Sequence, residues 1–215
     1  MRSSLAVLGV QIEIEHEEGC ISTPYIFKEL EEDVYALRAL RLRKNPIVFD
    51  IGANIGIFSV VVAKLFPDAF ITAVEPVRQN ISLLRQNIEI NQVSSRVKII
   101  EKAVTSDRRP LELWTDQGRR GSSTAFPEKR TSERIDVQSL TLDDLFFNVS
   151  TVDLLKLDIE GGEYEVVVAL KSWSKVLNFR GELHKFLDAQ DPYALDLFIK
   201  QKVKNSVTTI FELDT

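Results

Sequence analysis

Between residues 46 and 104 the apolar positions follow two alternating rhythms. Ile47, Val48 and Phe49 form a short run of strand formers, Gly52 punctuates it, and Ile55 to Phe66 reads as a helix stopped by Pro67. Phe70 to Val74 predicts a second strand. Val77 to Asn91 predicts a helix with Ile81, Leu84 and Ile88 on one face at three-to-four spacing, and Val97 to Ile100 a third strand. Strands separated by helices pair in parallel through crossovers, so the expected architecture is α/β: a doubly wound, mostly parallel sheet with helices on both faces.

The beat changes after Val104. Leu111 to Trp114 and Arg134 to Val137 read as short strands flanking a polar segment, Thr115 to Glu133, whose length suggests a functional lid or a solvated loop. That segment carries Arg119, Arg120, Ser122, Ser123, Lys129 and Arg130. A short helix at Leu142 to Phe146 follows, with Thr141 as its cap and Asp143 and Asp144 in its first turn. Then come a strand at Val152 to Leu157, a helix at Gly162 to Trp173, a strand at Val176 to Glu182, a helix at Pro192 to Lys202 and a strand at Val207 to Phe211. Residues 1–45 predict a strand, Val7 to Ile14, and an amphipathic helix, Tyr25 to Leu42. They are expected to cap the sheet or to join substrate binding, as part of the same domain as residues 46–215.

Composition narrows the function classes. A chain of 215 residues that is 44% hydrophobic can bury one good core, and a net charge of -5 supplies no broad positive field for nucleic acid or anionic lipid. The longest apolar stretch, Ile47 to Phe70, is interrupted by Asp50, Asn54, Lys64 and Asp68, so no membrane span is expected. Cys20 is the single cysteine, and the N-terminus does not read as a signal peptide, which together point to a cytoplasmic protein. Two histidines and no CxxC or HxxxH spacing speak against a zinc or other transition-metal site. His16, among acids, reads as a surface residue.

Ligands of open α/β sheets bind beyond the carboxyl ends of the strands. After the first strand the chain runs Asp50, Ile51, Gly52, Ala53, Asn54, Ile55, Gly56, and after the second Glu75, Pro76. This loop lacks the GxGxxG spacing of a pyrophosphate site and places Asp50 at its mouth, where a carboxylate repels phosphate. A ligand with a cationic end, such as the ammonium and sulfonium of S-adenosylmethionine, suits it better. Glu75 lies near the 20-residue offset at which an acid takes ribose hydroxyls; the alternative is that both acids are solvated strand ends. Asp158 ends the fourth strand, and alternation puts Lys156 on its side, ready to pair. Glu160 and Glu163 sit where acids also serve a helix N-terminus. Glu182 and His184, two apart, point the same way at the cleft rim, and histidine is the usual base near neutral pH.

VFDIGANIG, AVEP, RVKIIEKAV, SLTLDDL and above all DLLKLDIEGGE, in this order, resemble the FkbM family of S-adenosylmethionine-dependent methyltransferases from Pro46 to about His184. The resemblance implies a Rossmann-like, class I methyltransferase fold. It implies Asp50, Gly52, Ala53, Asn54 and Gly56 as the methionine-binding loop, Glu75 with Pro76 at the ribose, and Ala103 and Val104 beside adenine. The family's E-x-H element falls on Glu182 and His184. The expected activity is methylation of a hydroxyl on a sugar, polysaccharide or natural product, with Asp158, His184 and Glu160 as the base candidates. No metal is assigned; were a divalent ion to assist, oxygens of Asp158, Glu160 and Glu182 would suit magnesium better than zinc. The rival readings are a macromolecular N-methyltransferase and a noncatalytic module that binds the nucleoside. Absence of an (N/D)PP(Y/F) run after the fourth strand weighs against methylation of nucleobases.

Overall fold

Glycine at position 9 decides the first departure from the sequence pattern. The single strand expected over Val7 to Ile14 is a hairpin, β1 (Arg2–Val7) and β2 (Val10–Glu15), because Leu8 and Gly9 both adopt positive φ (52° and 88°), the turn that matches strand twist. The helix expected over Tyr25 to Leu42 stops early: α1 spans Ser22–Glu31. Asp33 and Ala36 then turn left-handed (φ 55° and 48°), and the Asp33 carboxylate accepts from the backbone N–H of Leu37 (2.6 Å) and Arg38 (3.1 Å), opening a separate 3₁₀ turn.

The alternation downstream follows the apolar rhythm: β3 (Ile47–Ile51), α2 (Ile57–Leu65), β4 (Phe70–Val74), α3 (Arg78–Ile90) and β5 (Val97–Ile100). The break in rhythm is an insertion. Strands β6 (Ala103–Val104), β7 (Leu111–Asp116), β8 (Ser123–Thr124), β9 (Ser132–Val137) and β10 (Ser139–Leu140) form it, with β8, β7 and β9 as an antiparallel sheet and β10 pairing β6. The chain closes with α4 (Leu142–Leu145), β11 (Leu154–Leu157), α5 (Glu163–Ala169), β12 (Asn178–Lys185), α6 (Pro192–Lys202) and β13 (Asn205–Glu212). Thr141 and Asp144 form a reciprocal cap on α4, as the TLDDL run predicts.

The computed structural model describes residues 1–19, 22–116, 123–124, 132–185, 187 and 190–212. Cys20 and most of the polar segment, including Arg119, Arg120, Ser122, Lys129 and Arg130, lie outside the described residues. Six parallel strands run in the order β13-β12-β11-β3-β4-β5, a doubly wound α/β sheet with helices on both faces. One apolar cluster joins α2, α3 and the hairpin to one side of the sheet; a second surrounds α4, α5 and α6 on the other. Strand order reverses between β3 and β11, so the crevice lies beyond the carboxyl ends of those two strands. Among the described residues, no helix is long and apolar enough to cross a membrane.

Two asparagines fasten the hairpin. Asn91 accepts from Glu13 N (3.0 Å) and donates to Glu13 O (2.6 Å); Asn87 does the same with Glu15 and also donates to Ile55 O (2.8 Å). Spaced one helical turn apart at the end of α3, with Asn91 as its C-cap, the two amides act as a surrogate strand edge for alternate residues of β2. Asn87→Ala would strand three backbone groups and is expected to cost about 1–3 kcal/mol in chemical denaturation; a loss near zero would mean the hairpin is held by apolar packing alone.

Candidate functional site

Three chain turns meet at the switch point. Beyond β3, the N–H groups of Gly52 and Ala53 both donate to Val74 O (3.0 Å each), which folds the loop back over β4. Gly52 has φ of 77°, and a Cβ there would lie 1.7 Å from the carbonyl oxygen of Asp158, so only glycine fits. Beyond β4, Glu75 is buried and well satisfied: Oε1 accepts from Val77 N (3.0 Å) and Asn80 Nδ2 (3.1 Å), and Oε2 from Asn54 N (2.9 Å). Burial pushes its carboxyl above the ordinary value, against the pull of those donors. A carboxylate offers about four acceptor positions, so Glu75 retains capacity for a ligand hydroxyl. These turns enclose a cavity of about 290 Å³ with Glu75, Gly52 and Asp158 on its lining and Ala103, Val104 and Leu113 as apolar wall.

Of the residues singled out in the sequence, Gly52, Asn54, Glu75, Pro76, Ala103, Val104, Asp158 and Glu160 line this cavity. Four do not. Ala53 is packed in the core, and Gly56 stands at the start of α2 (φ 86°), where a Cβ would press on Leu84. The expectation that Asp50 faces the ligand is corrected: it is fully buried, its Oδ2 accepts from Ser59 Oγ (2.6 Å), and its Oδ1 stands 3.6 Å from Lys156 Nζ. Asp50 lies within β3, whose carboxyl end is one residue further on, so its side chain answers the lysine of the neighbouring strand. His184, also off the cavity lining, sits behind Asp158.

Lys156 is 3% exposed and donates to Gly52 O (2.9 Å) and Asp158 Oδ2 (3.2 Å). Burial alone would lower its pKa, but Asp158, Asp50 and Glu182 hold it well above the ordinary lysine value. The expected pairing of Lys156 with Asp158 is therefore present, with Asp50 as a third member.

His184 lies against Glu163: Nδ1 donates to Glu163 Oε1 (3.2 Å), while Nε2 is 3.8 Å from both Glu160 Oε2 and Glu182 Oε2. Its ring stacks on Phe211 at 5.2 Å. Burial opposes the charge, yet the Glu163 hydrogen bond and the surrounding carboxylates push its pKa up to about 10. The carboxylates around the histidine expected as a base thus favour its protonated form. Glu163, read in the sequence as a helix-start acid, does more: its carboxylate also accepts from Ile159 N and Gly161 N (2.9 Å each), shaping the turn in which Glu160 adopts φ of 54°.

Glu182 completes the group. Burial and the carboxylates of Asp158 and Glu29 push it up to about 8, and Tyr35 Oη donates to its Oε1. Ligand atoms of Asp158, Glu182 and His184 lie within 4.8 Å of one another, with His184 Nε2 and Glu182 Oε2 3.8 Å apart, so one small polar group can touch all three. The same triangle has room for a cation, but the Lys156 ammonium on Asp158 and the protonated His184 already bring positive charge there. Tyr35, Glu29 and the cavity-lining Leu111 and Leu113 carried no signal in the sequence, since each acquires its place through contacts with distant strands.

A family model described as the Methyltransferase FkbM domain matches residues 50–204. Methyltransferase sdnD of Sordaria araneosa is 29% identical over 191 residues, which cover 74% of this chain and 73% of that protein. The 31-O-demethyl-FK506 methyltransferase FkbM of Streptomyces tacrolimicus is 24% identical over 197 residues, 74% of each chain. Among solved structures, the SAM-dependent methyltransferase from Agrobacterium tumefaciens aligns with a TM-score of 0.51 at 10% identity, covering 98% of this chain and 61% of that one; this is likeness of fold alone.

With only two histidines in the chain, the ring of His184 can be followed separately from that of His16 by NMR. Its titration midpoint is expected near 10. The histidine's folded pKa is raised, so its stabilisation relative to His184→Gln is full below an unfolded value of about 6.5 and disappears as pH rises through the folded midpoint. A midpoint near 6.5 would show that Glu163 does not hold the imidazolium.

Proposed function

The chain belongs to the FkbM family of S-adenosylmethionine-dependent methyltransferases, and we propose that it methylates a hydroxyl oxygen of a sugar, polysaccharide or natural-product acceptor. The cavity fits the cofactor this family uses. Glu75 keeps an acceptor position for a ribose hydroxyl, Gly52 lets the Asp158 backbone close against it to floor the cavity, and Ala103, Val104 and Leu113 offer an apolar wall to a base. Gly52, Asn54, Glu75, Pro76, Ala103 and Val104 are the binding residues in this reading, with Asp50 acting through Lys156. When bound, S-adenosylmethionine supplies a methyl group on a sulfonium, an intrinsically good leaving group.

One observation carries the choice of oxygen. The triangle of Asp158, Glu182 and His184 seats one hydroxyl, and Asp158 belongs both to it and to the cavity lining. His184, as an imidazolium, donates to the hydroxyl oxygen. Asp158, tethered by Lys156, fixes the direction of approach. Glu182 Oε2 takes the proton that the hydroxyl gives up as its oxygen bonds to the methyl carbon. Its pKa of about 8 suits a base working near neutrality, where His184 remains protonated. Glu160, on the rim, lies beside His184 Nε2 and helps keep its charge.

Two measurements test this. Calorimetry with S-adenosylhomocysteine should show binding to the wild type that falls at least about tenfold in Glu75→Ala and Gly52→Ala; unchanged affinity in both would remove the cofactor assignment. Labelled methyl transferred to a pool of hydroxylated acceptors should appear as base-stable ether and survive nuclease and protease treatment of the pool. Its rate should climb with pH as Glu182 ionises and level off above about 8, and Glu182→Gln should slow it about 10²-fold or more. A rate flat from pH 6 to 9 would exclude Glu182 as the base.

A further inference from the structure

The segment before residue 50 lies outside the family match, yet it reaches the acceptor side of the site. Its Tyr35 is 6% exposed and is gripped from both ends by one strand. Arg180 of β12, itself 1% exposed, donates through Nε to Tyr35 O (2.5 Å) and through Nη1 to Phe179 O (2.7 Å) and Asn205 O (3.1 Å). Two residues on, and therefore on the same face of β12, Glu182 accepts from the tyrosine hydroxyl. Phe58 of α2 packs edge-on against the ring at 5.2 Å. The left-handed residues Asp33 and Ala36 bracket Tyr35 and present it to the strand.

A phenylalanine would fill this space equally well. What the hydroxyl adds is a choice between the two oxygens of Glu182: with Oε1 occupied by Tyr35, Oε2 is the atom left 3.8 Å from His184 Nε2. We infer that Tyr35 is a positioning residue of the acceptor site, holding Glu182 so that Oε2 faces the point where the acceptor hydroxyl sits. The inference rests on the methyl-transfer reading above. Around Glu182 stand Tyr35, Glu29 of α1, Lys156 and Asp158 at the end of β11, and His184 of its own strand. Among these the tyrosine is a neutral donor bonded directly to the carboxylate, so it directs the group without cancelling its charge. A segment outside the family-matched region thus sets the geometry of a residue inside it.

The test needs no acceptor. Sinefungin carries an ammonium where the cofactor carries its transferable methyl, so the ratio of its affinity to that of S-adenosylhomocysteine reports the carboxylate oxygens facing the transfer point. By calorimetry above pH 8, where Glu182 carries its charge, the wild type should prefer sinefungin about tenfold. In Tyr35→Phe that preference should fall to about threefold or less, as in Glu182→Gln, while S-adenosylhomocysteine affinity stays within about threefold. Thermal unfolding of both variants confirms that they are folded. A preference kept in Tyr35→Phe and lost in Glu182→Gln would overturn the role of Tyr35, as would an equal loss of both nucleosides, which assigns the tyrosine to the fold. No preference in the wild type would show that Glu182 does not face the transfer point. A wild type that binds neither nucleoside removes the methyl-transfer reading and this inference together, whereas normal S-adenosylhomocysteine binding with an unaltered ratio in Tyr35→Phe removes this inference alone.

Discussion

An ammonium taken out of water loses several kcal/mol of hydration unless charge and hydrogen bonds replace it. Lys156 recovers that loss from three sources on two adjacent strands and their loops: the Asp50 carboxylate in register with it on β3, the carbonyl of Gly52, and the carboxylate of Asp158. The strand order reverses at this seam, so the cation joins the two halves of the sheet below the crevice in which open α/β sheets bind ligands. Removing it would leave two neighbouring carboxylates without their counter-charge. The orientation of Asp158 toward the cavity and the turn of the Gly52 loop both follow from this one buried charge.

Steric exclusion adds a second constraint at the same place. The missing side chain of Gly52 allows the Asp158 carbonyl to approach, so the two loops that floor the cavity touch backbone to backbone. Glu163 then ties the far side of the second loop by accepting from Ile159 and Gly161, and extends the same carboxylate to His184. The floor of the cavity and the carboxylates around His184 are therefore one mechanical unit. A shift in the loop between Asp158 and Gly162 moves the imidazolium with it.

The N-terminal segment belongs to this unit as well. Asn87 and Asn91 fasten its hairpin to α3, and Asn87 also reaches Ile55 O at the end of the Gly52 loop. Arg180 and Glu182 hold its Tyr35 over the tips of the sheet. Burial of Arg180 is sustained by direct hydrogen bonds to three backbone carbonyls, those of Tyr35, Phe179 and Asn205, with the Asp33 carboxylate adding favourable charge. The guanidinium fork suits that use, because its donors diverge toward separate acceptors.

How much of this was legible in the residue order depends on range. Local rules sufficed for β3 to β5 with α2 and α3, for the cap on α4, and for placing the Gly52 turn and Glu75 at the strand ends that border the cavity, because helix period, strand alternation and glycine conformation act over a few residues. The same rules overextended the N-terminal helix, since the side chain of Asp33 offers its backbone a competing partner, and they merged the hairpin into one strand across Leu8 and Gly9. The ring of carboxylates around His184, the inward turn of Asp50 and the contact of Tyr35 with Glu182 were beyond them. Tyr35 and Glu182 stand 147 residues apart in the chain, and charge states depend on every group that folding gathers within a few ångströms. The residue order thus determined the layers, the crevice and the chemistry available at its rim. Tertiary structure alone decided which Glu182 oxygen Tyr35 occupies and which carboxylates surround Lys156 and His184, because electrostatic fields and close contacts are properties of space and not of sequence.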